Sequence, residues 1–191
     1  MTITGHFVLL LVVLLPLVKP APDETEERKD EDIHEFFTAH NDSWVYNTTE
    51  RNQAGETICR HDVMVNITEE NIFFHRLNNN SGPLLRGEFI NWYEYKNKPN
   101  DSIYVHDSAG NVLGAAILDY ASNNKTCALL TVLVYSEVNT TVHHELRVAA
   151  AAIGGGPEQE CYEKFDSLVT ELRKFPKLGE QKTSHYSPSC Q

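Results

Sequence analysis

The sequence contains no C-x-x-C pair, no G-x-S-x-G and no H-E-x-x-H, and it is short of positive charge. Without paired thiolate spacing, zinc ribbons and thioredoxin-type redox chemistry are disfavoured. Sixteen Lys and Arg stand against twenty-seven Asp and Glu, a formal charge of −11. A polyanionic nucleic acid would be repelled by that field, as would an anionic membrane surface. His143-His144-Glu145 does not make a metal site on a strand, because adjacent side chains point to opposite faces. Val148 stands four residues after His144, where a helical zinc motif needs a second histidine. Gly154-Gly155-Gly156 lacks the Lys of a phosphate-binding loop and is followed by Glu158 and Glu160, so it reads as a connector. With no nucleophile motif and no separable carboxylate pair, the chain reads as a binding protein rather than an enzyme, with no metal or cofactor.

Long apolar runs are also scarce. Phe7–Val18 forms one of about a dozen residues, too short to span a bilayer, and residues 1–21 read as a signal peptide. An exported, unanchored mature chain is expected. Residues 22–32 form a charged arm, and 33–191 a single domain without repeats or linkers. Seven N-x-Ser/Thr sequons, at Asn41, Asn47, Asn66, Asn79, Asn100, Asn124 and Asn139, agree with export and a sugared surface. The four cysteines, Cys59, Cys127, Cys161 and Cys190, are even in number and widely spaced. In an oxidising compartment they read as two disulfides, with three connectivities open.

Ile33, Phe36, Phe37 and His40 fall at helical spacing and predict a short helix. Eight strand-like runs follow, at Trp44–Tyr46, Ile58–Val65, Ile72–Leu77, Leu84–Tyr95, Ile103–Val105, Val112–Tyr120, Thr126–Tyr135 and Thr140–Ala150. Turn-forming clusters separate them at 78–83, 97–101 and 107–111. This spacing favours an antiparallel up-and-down barrel or a sandwich; closure would remove exposed edges and suits a monomer. Pro157 then opens a helix whose stripe is Cys161, Phe165, Leu168 and Leu172, closed by Pro176 and Gly179, to lie against the outer wall. A barrel of about eight strands is just wide enough for side chains or one small ligand. Trp44, Tyr46, Phe89, Trp92 and Tyr120, all on predicted strands, are candidates to wall such a pocket.

Several coupled features give the chain a resemblance to a known family. These are the Trp44-led strand after a helix and Cys59 opening the next strand. Then come Leu118-Asp119-Tyr120-Ala121-Ser122-Asn123-Asn124 before Cys127, and Glu145-Leu146 on the last strand. Cys161-Tyr162-Glu163-Lys164-Phe165 opens the helix, and Ser187-Pro188-Ser189-Cys190 closes the pattern. Over Ile33–Cys190 the chain resembles the tick salivary lipocalins of the histamine-binding kind, although the usual lipocalin Gly-x-Trp is absent: Asp42 precedes Ser43-Trp44. The resemblance implies an eight-stranded lipocalin barrel with a helix outside it. It also implies the pairs Cys59–Cys190 and Cys127–Cys161, worth roughly 4–5 kcal/mol each by loop entropy.

Amine-binding relatives hold a cation with carboxylates and aromatic rings inside the barrel, and Glu88 and Glu145 match two of those acids. Ala128, Gly114–Ala116 and Arg147 stand where those relatives place acids and aromatics. Losing charge-assisted bonds of about 1.5–3 kcal/mol each would weaken a cationic guest. The resemblance therefore implies a salivary protein that sequesters a host ligand and blunts inflammation or immunity. A lipid or sterol is the favoured guest, and a biogenic amine such as histamine or serotonin, held by Glu88 and Glu145, is the alternative. A third reading has a glycoprotein acting through its surface on a host immune protein or cell.

Overall fold

The structure, a computed structural model, describes residues 31–50, 59–94, 96–174, 183–184 and 186–190. The apolar leader, most of the charged arm, Ile58, Tyr95, Pro176 and Gly179 lie outside the described residues.

Helix α1 (Ile33–Ala39) starts where the Asp32 carboxylate accepts a hydrogen bond from the Glu35 amide at 3.1 Å, a side-chain cap of its first turn. Glu31, two residues ahead of the helix, is buried and accepts from the Ala121 amide, so the end of the arm belongs to the fold. Eight strands follow: β1 (Asp42–Thr48), β2 (Arg60–Ile67), β3 (Asn71–Asn78), β4 (Leu84–Ile90), β5 (Ser102–His106), β6 (Val112–Ala121), β7 (Cys127–Tyr135) and β8 (Thr140–Ala149). Each from β2 to β8 pairs antiparallel with its sequence neighbour. β1 then closes the circle by pairing with both β8 and β2. The result is a closed up-and-down barrel, in which the eight main strands have no free edge.

Turn chemistry sets the register. Asn79 and Asn80 both have positive φ (50° and 67°), the left-handed pair that a two-residue hairpin needs between β3 and β4. Between β5 and β6, the Asp107 carboxylate accepts from the Ala109 and Asn111 amides, and Gly110 supplies the positive φ. Gly114 marks a close approach of β6 to β7: a Cβ there would lie 2.0 Å from the Leu133 carbonyl oxygen.

β4 is shorter than its hydrophobic run predicts. It ends at Ile90, and Trp92 and Tyr93 lie on the following turn, where the Trp92 amide donates to Asp101. Helix α2 (Gln159–Leu172) likewise begins after Pro157, with Glu158 at its cap, and buries Cys161, Phe165 and Val169. A 3₁₀ turn (Ala150–Gly155) leads into it, and the two-residue β9 (Thr183–Ser184) adds to β1.

Strand alternation divides the apolar residues into two cores. One fills the barrel interior and includes Ile72, Phe74, Leu85, Phe89, Ile103, Val105, Leu118 and Leu130, with Ile33 and Phe36 of α1 stopping one end. The other lies outside, between β1, β7, β8 and α2, around Trp44, Leu129, Leu146, Val148 and Phe165. Cys127–Cys161 ties α2 to this wall, and Cys59–Cys190 clips the tail to the start of β2; both pairs are those the resemblance implies.

Candidate functional site

At the end of the barrel opposite α1, the interior opens into a cavity of about 330 Å³. That is the lower end of the range typical of small-molecule sites. Leu85, Val105, Ala116, Val132 and Val134 form its apolar wall, and Gly114 with its alanine neighbours leaves it space. Deeper in, Gly87 has no room for a side chain: a Cβ would sit 2.7 Å from the Ile72 methyl and 3.0 Å from Ile103, so that half is filled. Several exposed apolar side chains, Leu84, Val112, Val138 and Val142 among them, stand at the strand ends and on the β7–β8 turn around this opening.

Beside the cavity, the inner faces of β2, β3 and β8 carry charge. Arg147, 2 % exposed, reaches Asp62 at 2.6 Å through Nη1 and Glu145 at 2.8 Å through Nε. Arg76 grips the same Asp62 with Nε and Nη2 at 3.0 and 2.9 Å. Arg60 donates to Glu145 at 2.6 Å and to Glu50 at 2.7 Å. His143 adds Nε2 at 3.2 Å from Glu145. The chain of contacts thus runs Arg60–Glu145–Arg147–Asp62–Arg76 with alternating sign. Burial alone would raise the pKa of Asp62, but the Arg147 and Arg76 guanidinium groups outweigh it and hold it at about 2. Glu145 is held well below the ordinary carboxylate range: Arg147 and Arg60 overcome the opposing effect of burial. Both interior acids are ionised and already saturated with cationic donors.

The residues chosen from sequence scatter between three places. Phe89 and Glu145 face inward, and Glu145 is buried at 2 % exposure. Glu88 does not join it: one residue out of phase with Phe89, its side chain is on the outer face, 47 % exposed and 3.4 Å from Arg86 and His106. Trp44, Tyr46 and Tyr120 also lie outside the barrel, in or against the core beneath α2. Trp44 stacks on His61 at 3.9 Å, Tyr46 stacks with Tyr186 at 5.8 Å, and the Lys164 ammonium sits 4.6 Å over the Tyr120 ring. Trp92, on the turn after β4, leans on Tyr104 at 6.0 Å. These aromatics pack on the outer wall, away from the 330 Å³ cavity. Sequence reasoning missed Asp62, Arg60 and Arg76. The signal was present as period-2 charge: Arg60 and Asp62 on β2, and Glu145 and Arg147 on β8, each pair falling on the face sent inward.

His143 and His144 fall on opposite faces, His144 lying outside at 3.0 Å from the Thr131 hydroxyl. Among the described residues no cluster of His, Cys, Asp and Glu could hold a metal ion, and no helix is long and apolar enough to cross a membrane.

Comparison with solved structures finds lipocalins. The siderocalin Ex-FABP, described as functioning through dual ligand specificities, is 6 % identical over 71 % of this chain and 87 % of its own, with a TM-score of 0.52. Insecticyanin from the tobacco hornworm Manduca sexta is 11 % identical over 81 % and 83 %, with a TM-score of 0.49. A biogenic amine-binding protein is 7 % identical over 70 % and 72 %, with a TM-score of 0.43. No family model and no curated protein matches the sequence. Closed barrel, end-stopping helix and outer C-terminal helix together make this a lipocalin fold.

Proposed function

We propose that the protein is a secreted lipocalin that sequesters a small, mainly apolar host ligand, a lipid or sterol, in its barrel and so dampens a host inflammatory or immune response. One observation carries the choice of guest: the interior acids are saturated by arginines, while the adjoining 330 Å³ cavity is walled by aliphatic side chains. Burial of apolar surface at about 25 cal/mol per Å² drives binding into such a space without any charged partner. The amine alternative finds less support. A desolvated ammonium needs free acceptors, but Glu88 lies outside and Glu145 already serves Arg60 and Arg147. The apolar rim suits passage of a hydrophobic guest, and the two disulfides suit an oxidising exterior.

The test is binding by native mass spectrometry and calorimetry, using delipidated protein with a sterol, fatty acids, histamine and serotonin. A lipid should bind at micromolar or better and be lost in Ala116→Phe, which fills the cavity, while both amines give no heat. Binding of either amine with no lipid uptake would reverse the proposal.

A further inference from the structure

Inside the barrel, three guanidinium groups, those of Arg60, Arg76 and Arg147, meet two deeply buried carboxylates, Asp62 and Glu145. Glu50, at the outer end, offsets Arg60 from a half-exposed position. Arg147 is enclosed between its two acids. Arg76, at the other end of the chain of contacts, lines the cavity and keeps 26 % of its side chain exposed. Its bonds to Asp62 use Nε and Nη2 along one edge of the guanidinium, and that carboxylate is shared with Arg147. The donors on Nη1 are not spent on Asp62, and a guanidinium has five N–H groups in a fixed fork that matches a carboxylate. Its plane is steadied by the Phe74 ring, 5.4 Å from the guanidinium carbon. Asn78 and Tyr135 are the other residues with polar side chains at the cavity wall, and the rest is mainly aliphatic.

From this arrangement we propose that the guest is an amphipathic monocarboxylate, its chain against Leu85, Val105, Ala116 and Val132 and its carboxylate on Arg76. The inference rests on the apolar-guest reading above and narrows it. A neutral sterol or alcohol would fill the same wall but leave the Arg76 donors unanswered, and an amine would meet a cation.

The experiment compares dodecanoate with 1-dodecanol, two probes of one chain length that differ in charge, by calorimetry on the full chain. At pH 7 the acid should bind at least tenfold tighter, the effect of about one charge-assisted hydrogen bond. As pH falls from about 6 to 4 and the guest carboxyl protonates, the preference should vanish in the unaltered protein, because Asp62 and Glu145 stay ionised there. Arg76→Gln should lose the preference while keeping alcohol affinity within threefold, and Arg76→Lys should retain part of it. Equal affinity for acid and alcohol at pH 7 would overturn the carboxylate assignment and leave the apolar-guest reading standing. Failure of both probes to bind would overturn that reading as well.

Discussion

Removing the Arg147 side chain would leave Asp62 and Glu145 as neighbouring buried carboxylates, Asp62 with Arg76 and Glu145 with Arg60 and His143. Breaking a buried pair in this way costs about 3–5 kcal/mol, because the desolvated partner remains. Arg147→Ala should therefore lower the unfolding free energy extrapolated from urea titration by that amount, with little change in slope; a loss below about 1 kcal/mol would mean the acids find water or other donors. The same residue explains why Glu145 is not a vacant cation receptor. Cross-strand pairing sets Ala128 opposite Arg147, and the small side chain gives the guanidinium room. Two of the residues that depart from the amine-binding pattern thus face each other across the β7–β8 ladder, and a missing acid and an added base both make the site more positive.

At the scale of the element, β1 is held on both flanks along its second half. Asn47 pairs with Leu146 of β8 and with Ser184 of β9. Its side chain is 5 % exposed, Thr48 and Thr49 are buried beside it, and the Thr49 hydroxyl accepts from the His144 amide at 2.9 Å. A branched sugar on Asn47 has no place in this packed strand, whereas Asn41, Asn66, Asn79, Asn124 and Asn139 are exposed. Expressed in a secretory host, the protein should carry no glycan at Asn47 itself. Glycopeptide mass spectrometry checks this, and full occupancy at Asn47 would mean that β1 departs from this packing. The seven sequons are legible as text, but accessibility is a property of the strand each one joins.

For the molecule as a whole, the interior charges set the response to acid. The folded pKa of Asp62 is about 2, below its ordinary 3.8. Its stabilising contribution is present above the unfolded pKa and is lost as pH falls from about 4 to 2. The size is about 2 kcal/mol, by linkage at 1.36 kcal/mol per unit. Glu145 is shifted in the same direction and adds to the loss. Thermal melts should be flat from neutral pH to about 5 and fall steeply below 4. Asp62→Asn should remove part of that dependence while lowering stability at pH 7; an unchanged acid limb would place its origin elsewhere.

Much of this protein is written in its residue order. Eight short strand-like runs with Asn, Asp and Gly between them determined an antiparallel barrel or sandwich, because such runs can bury one face only by pairing with their neighbours, and the family resemblance pointed to the barrel. The 3.6-period stripe around Cys161 and Phe165 determined a helix with one buried side. Alternation also separates Glu88 from Phe89 and His143 from His144, but it does not say which set faces inward. Only the tertiary structure decided that Trp44, Tyr46 and Tyr120 go outside beneath α2 and that Trp92 leaves the sheet. It also decided that Arg60, Asp62, Arg76, Glu145 and Arg147 meet inside. The reason is physical: an inner and an outer core are both apolar in sequence, and only closure of the barrel and docking of α2 assign each face. A charged residue reads as solvated until the strands that carry its partners are brought together around it.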